Sequence, residues 1–204
     1  MKCLKMLGLA AVVATALFAL VGAGTASATV ICKNNLNTEK CSEPYPVGTE
    51  GTASLVESAK LTDTSGNVLD TCTGSTIKST LKEAGSATTT VKSGVSTMTF
   101  TGCTFPTTVI NGGSAELHWI SGTDNGTLTT FNTEVTINTG LFGSCIYGPG
   151  NGADVGTTVG GNPGSMTLNV VVTRFGSNFA CPATAKFTGK YVATSPTNAW
   201  VAAG

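Results

Sequence analysis

The chain has 204 residues, with 11 Lys and Arg against 11 Asp and Glu, and charged residues make up only 11% of it. Charge this sparse and balanced supplies no basic face, which argues against the clustered phosphate contacts of a nucleic-acid partner. A single arginine, Arg174, rules out anion capture by an arginine cluster.

The N-terminus carries the clearest signal. Lys2 and Lys5 precede an apolar run at 7–21, then small residues, then Ala26-Ser27-Ala28. A charged region, an apolar region and a small-x-small site, in that order, predict a secretory signal peptide cleaved after Ala28. The apolar run is short for a membrane anchor. Cys3 precedes it and Cys32 follows Thr29-Val30-Ile31, so neither sits in a lipoprotein cleavage site. Cleavage leaves 204 − 28 = 176 residues, 9 positive against 11 negative, for a net charge of −2. It also leaves six cysteines, an even number suited to an oxidising extracellular compartment. No later segment is long and apolar enough to span a bilayer, so one secreted domain over 29–204 is expected, with no stable membrane span after cleavage.

Polarity in that domain comes from threonine, 34 residues of it. Threonine is β-branched and fits a pleated surface better than a helix. It alternates here with apolar residues, which separates the chain from a mucin-like stalk. Residues 29–47 are polar and turn-rich, with Cys32 and Cys41 bracketing a loop sequence. Beyond 51 the pattern becomes short apolar runs of period two. Ile77 and Leu81 are spaced as on a helix, but the surrounding Ser and Thr favour a strand. Met98 and Phe100, then Leu117 and Trp119, then Phe131, Thr133, Val135 and Ile137, then Leu168, Val170 and Val172, then Phe187 and Tyr191 each define one dry face. Gly66-Asn67, Asn111-Gly112 and Asn125-Gly126 lie between such runs and predict hairpin turns. Residues 140–164 are glycine-rich and predict a loop region. The sum is an all-β domain, an antiparallel β-sandwich or barrel of roughly ten short strands.

Several motifs together carry a resemblance: Thr71-Cys72-Thr73-Gly74-Ser75-Thr76, Met98-Thr99-Phe100-Thr101-Gly102-Cys103, Asn125-Gly126-Thr127-Leu128-Thr129, Cys181-Pro182, and Tyr191-Val192-Ala193-Thr194-Ser195-Pro196. With them the chain resembles a family of small secreted, cysteine-containing all-β proteins of high-GC Gram-positive bacteria. The resemblance implies export and fold, and it carries over no catalytic residue.

Metal and cofactor motifs are lacking. No two of Cys32, Cys41, Cys72, Cys103, Cys145 and Cys181 stand two to four residues apart, as structural zinc pairs do, and there is one histidine. Disulfides are expected instead. Six cysteines allow 15 connectivities, and pairing in chain order is the expectation: Cys32–Cys41, Cys72–Cys103 and Cys145–Cys181. Gly150-Asn151-Gly152-Ala153-Asp154 echoes a calcium-binding nonapeptide, but as a single partial copy. Asn125-Gly126-Thr127 fits a glycan acceptor and also a turn, and turn chemistry suffices.

A Ser/His/Asp or Cys/His engine would have to use His118, the single histidine, and a paired-carboxylate glycosidase would draw on Glu116, Asp124 and Glu134. By alternation His118 and Glu116 share the wet face of a strand whose dry face holds Leu117 and Trp119. Two function classes follow. One is a secreted, non-enzymatic structural or binding module with an extracellular or cell-surface partner, carbohydrate being one candidate through Trp200. The other is a secreted hydrolase of cell-wall or polysaccharide substrate built on Glu116, His118 and Asp124. A pocket around His118 would favour the second, and an isolated His118 on a hydroxylated face the first.

Overall fold

The structure is a computed structural model and describes residues 28–34 and 41–204. The predicted signal peptide at 1–28 lies outside these residues except for Ala28. The fold is all-β, as expected, and the choice between sandwich and barrel resolves to a closed barrel of eight staves.

The staves are longer than the sequence reading supposed, because several apparent strands are halves of one. β2 (Glu50–Leu55) and β3 (Ala59–Thr62) run in the same direction and share both neighbours, β4 (Val68–Glu83) and β13 (Thr184–Ser195). They form the first stave, and β4 is the second. β5 (Val91–Cys103) is the third. β6 (Thr107–Asn111) continues into β7 (Ser114–Trp119) as the fourth. β8 (Gly126–Phe131) continues into β9 (Glu134–Asn138) as the fifth, pairing with β7 and β6 respectively. β10 (Ser144–Gly148) and β11 (Ala153–Val159) make the sixth, against β9 and β8. β12 (Ser165–Phe175) is the seventh, pairing with both β10 and β11, and β13 is the eighth. Each stave is antiparallel to the next, and the eighth pairs with the first, so the sheet has no outer edge there.

This geometry corrects two readings. Asn111-Gly112 does not make a hairpin: the chain continues in the same direction from β6 to β7. Gly113 takes φ +70 and donates its N–H to the Asn111 side chain at 3.0 Å. The glycines are needed for close approach, since a Cβ at Gly113 would lie 2.1 Å from the Phe131 carbonyl oxygen. The fifth and sixth staves break at the same level, at Asn132 (φ 58) and Gly152 (φ +72). Side chains stitch the three breaks together. Asn151 accepts the Asn132 N–H at 2.8 Å, and Thr133 donates to the Gly112 carbonyl at 3.1 Å. The break at Asn132 also resets the alternation, so Thr130 and Thr133 face inward and Phe131 does not. Glycine-rich 140–164, expected as loop, contains both strands of the sixth stave.

The Gly66-Asn67 turn is as predicted. Asp63 accepts from the Asn67 side chain and from the backbone N–H groups of Asn67 and Ser65. These bonds, the Asn67 side chain foremost, hold the Asp63 carboxyl below its usual pKa. At Asn125-Gly126 the hairpin exists, but the left-handed residue is Gly122 (φ +76), and the Asn125 side chain accepts the Gly160 N–H at 3.1 Å.

The two ends of the barrel differ. At one, β1 (Val30–Cys32) pairs with β14 (Trp200–Ala202) across the opening. Val201 packs there with Leu81, Val91 and Leu117, and Ile31, Tyr45 and Trp119 border them. The disulfide Cys32–Cys41 braces this plug. The opposite end holds the other two bonds, Cys72–Cys103 between the second and third staves and Cys145–Cys181 between the sixth stave and the 176–183 loop. All three bonds pair cysteines in chain order, as expected. Buried Asp70 fixes the turn between β5 and β6, accepting from the Phe105 N–H at 3.2 Å and the Thr107 hydroxyl at 2.7 Å.

Substituting Gly113→Ala tests the band of strand breaks. The added Cβ meets backbone and the φ is left-handed, so stability falls by about 2 kcal/mol or more, lowering Tm by roughly 4 °C or more. Gly66→Ala, with φ +87 but nothing within 4 Å, is the comparison and costs only about 1–2 kcal/mol. Equal thermal melts for the two variants contradict this reading of the Gly113 contact.

Candidate functional site

The staves alternate, so one set of side chains points into the barrel. On β12 these are Met166, Leu168, Val170 and Val172, and on β13 Phe187, Tyr191 and Ala193. The opposite faces carry Thr167, Asn169 and Thr173, and Lys186, Thr188 and Lys190. A dry interior within a hydroxylated wall is the inverse of a membrane-spanning barrel, whose outward band is apolar.

Eight staves leave an interior that either fills with side chains or holds one small ligand. Here the side chains leave a cavity of about 380 Å³. That is within the range of about 300–1,000 Å³ typical of ligand pockets. Packed interiors hold few voids larger than a water molecule.

The lining is mostly aliphatic and aromatic, from Ile77, Leu128, Val135 and Val155 as well as the residues above. One carboxylate reaches it, Asp70, whose oxygens are committed to the β5–β6 turn. Lys60 also lines it, but it alternates with buried Ala59 and Leu61 and its side chain is exposed. Polar contacts come from hydroxyls. Thr130 donates to the Ser114 carbonyl at 3.0 Å and Tyr191 to the Ser75 hydroxyl at 3.1 Å. Ser79 and Ser93 face in from neighbouring staves without a protein partner among the described residues. They offer a bound molecule a donor or acceptor in apolar surroundings.

The wall has one weak seam among the described strands. β5 pairs with β7 only over Val91–Gly94, extended by a Val95 N–H to Gly113 carbonyl bond at 3.0 Å. Beyond that point β5 and β6 share no ladder. Met98 and Phe100 face the cavity along this stretch, and Phe100 meets Phe187 edge-on with ring centroids 6.1 Å apart. Opening the barrel elsewhere would break ladder hydrogen bonds. Here no ladder bond joins the two strands, and the Thr107 hydroxyl's bond to Asp70 holds the start of β6.

The candidate catalytic residues are not in this cavity. Glu116 and His118 stand on the outer wall of β7, with His118 Nε2 3.9 Å from Glu116 Oε2 and Lys92 Nζ 3.9 Å from Glu116 Oε1. Lys92 also pairs with Glu83 at 3.2 Å. Asp124 belongs to the β7–β8 turn, where its backbone oxygen receives the Val201 N–H. The structure therefore brings Glu116 and His118 together but puts Asp124 apart from the cavity and in a bracing role. Trp200 lies in the plug, with its indole against Gly160, and Trp119 donates its indole N–H to the Thr123 carbonyl at 2.6 Å. A carboxylate and two sulfurs cluster within 4.8 Å at Asp70, Cys72 and Cys103. The sulfurs are bonded to each other, so no thiolate remains there for a metal. Sequence reasoning missed the cavity because a dry strand face reads the same whether it packs solidly or surrounds a space.

Burial pushes the Tyr191 hydroxyl above its usual pKa, with its bond to Ser75 partly offsetting the shift. Burial does the same at Tyr147, against the opposing charge of Arg174. A phenol whose folded pKa is raised contributes its full stabilisation below the unfolded pKa of about 10, and loses it as pH rises through the folded pKa. Stability should therefore fall in alkali, starting near pH 10, and less steeply in Tyr191→Phe, which at neutral pH costs about 1 kcal/mol for the lost hydrogen bond. Urea unfolding at several alkaline pH values measures the slope, and an unchanged slope in Tyr191→Phe contradicts the assignment. No protein-family model, curated protein or solved structure matches this chain.

Proposed function

We propose that the protein is an exported, non-enzymatic binding module whose barrel takes up one small, uncharged apolar molecule bearing a hydroxyl or carbonyl group. The cavity carries this reading. Its size suits a ligand, its lining is apolar, and its unpartnered hydroxyls at Ser79 and Ser93 supply the few polar contacts that orient a ligand in such a site. An anionic ligand is disfavoured, because no buried cation faces the interior among the described residues and desolvating an unpaired carboxylate is costly. Three disulfides are compatible with an extracellular location, in line with the leader sequence.

The hydrolase reading draws on Glu116, His118 and Asp124. They occupy a convex outer wall and a turn, where a substrate would not be enclosed or shielded from water. The carbohydrate reading through Trp200 needs an open indole face, and this half-buried indole stands against Gly160.

N-phenyl-1-naphthylamine, an uncharged probe that brightens in apolar surroundings, tests the proposal. Saturable binding of one probe per chain is expected. Val170→Phe and Ala193→Leu, which fill the interior from two staves, should each weaken it by about tenfold or more, or about 1.4 kcal/mol. Glu116→Gln on the outer wall should leave it unchanged. Non-saturating fluorescence, or undiminished binding in both filled variants with native circular dichroism, overturns the proposal.

A further inference from the structure

The largest apolar side chains left in water gather at the disulfide-bonded end of the barrel. Leu141 is 103% exposed, Phe142 70% and Phe179 91%. Isolated apolar residues on a surface are ordinary, but these three belong to two loops that are tied together. Asn178 donates its side-chain amide to the carbonyls of Phe142 at 2.8 Å and Ser144 at 3.1 Å. Cys145–Cys181 joins the same two segments covalently. Arg174 donates to the carbonyls of Asn178 and Cys181, and its guanidinium lies 5.8 Å from the centre of the Phe179 ring. The loops are thus braced to hold apolar tips outward, where each would lower its free energy by leaving water.

We propose that Leu141, Phe142 and Phe179 form a tip that inserts into the interfacial region of a lipid bilayer. Three observations select lipid over protein. The side chains protrude singly from the loop tips, 70–103% exposed, as anchors that enter a fluid phase do. Residues 138–145 and 175–183 contain no Asp, Glu or Lys, so no charge has to be desolvated as the tips enter the acyl boundary. Arg174, the charge that adjoins these segments in sequence, already has two carbonyls and a ring as partners. Around the tips stand Asn138, Thr139, Ser144, Ser177 and Asn178, short polar groups suited to the headgroup level. The β5–β6 seam begins at this same end, so a docked barrel would present its weak wall towards the leaflet. The inference stands on the loops and does not require the cavity to hold a ligand.

Flotation with phosphatidylcholine vesicles tests it. The wild-type protein is expected to float with the lipid at low and at high salt alike, since no basic cluster contributes. The triple variant Leu141→Ser, Phe142→Ser, Phe179→Ser should remain with the soluble fraction, its partitioning reduced by about tenfold or more. Val171→Ser removes an apolar side chain that is 62% exposed on the outer wall, and it should float as wild type does. Intact disulfides by mass and unchanged circular dichroism establish that the triple variant is folded. A wild-type protein that stays soluble at excess lipid, or a triple variant that floats equally, overturns the proposal. So does sedimentation showing a wild-type dimer that the triple variant dissolves, which would assign the tip to a second copy of the chain. Probe titration of the triple variant without lipid reports the interior separately.

Discussion

The structure depends on the pairing of its last long strand with its first. β13 hydrogen-bonds to both β2 and β3, and those two also pair with β4, so one interrupted stave closes the ring. Without that closure the sheet would have two long edges and one apolar face open to water. With it, the inward side chains are surrounded by a wall that is hydrogen-bonded except along the β5–β6 seam, and the outer face is mostly hydroxylated. The break at 56–58 does not interrupt the closure, because the Val56 N–H still reaches the Lys190 carbonyl at 2.9 Å.

Closure also explains where the bracing lies. A barrel wall resists opening sideways, so its ends are the weak points. One end is covered by the two terminal strands and Cys32–Cys41. The other is held by Cys72–Cys103, Cys145–Cys181, the Asp70 bonds to the β5–β6 turn, and the Arg174 bonds to the 176–183 loop. The disulfides and the Asp70 bonds each join a strand start to a neighbouring strand end, turn or loop, and the Arg174 bonds tie the end of β12 to the loop that follows it. The interior can then stay loosely filled, since the ends and the ladders, more than dense packing, keep the shape.

Much of the architecture was legible in the sequence because period-two alternation reports which face is dry. Leu168, Val170 and Val172, and Phe187 and Tyr191, all point inward as the pattern implied. The cysteines pair in chain order because a meander keeps sequence neighbours adjacent in space. Asn111-Gly112 misled because the same left-handed freedom that reverses a hairpin can also kink a continuous strand. What separates the two is the neighbouring strand, here the Phe131 carbonyl crowding Gly113, and that is invisible locally. The same band of kinks put Phe131 on the wrong face and disguised the sixth stave as a glycine-rich loop. The cavity was not legible, since Val, Leu and Ile on a strand look alike whether they meet across a barrel or leave a gap. Glu116 and His118 were correctly placed on one wet face. Only the three-dimensional fold shows that face to be the convex exterior.

The proposed binding role rests on an apolar interior and on the Ser79 and Ser93 hydroxyls, which have no protein partner among the described residues. Native mass spectrometry of the protein purified from its native host tests this most directly. The account predicts the mass of one chain plus a single small neutral molecule, released by organic solvent while the three disulfides stay intact. A chain that carries nothing, and that still gains no mass when incubated with lipid extract from the producing cells, would contradict it.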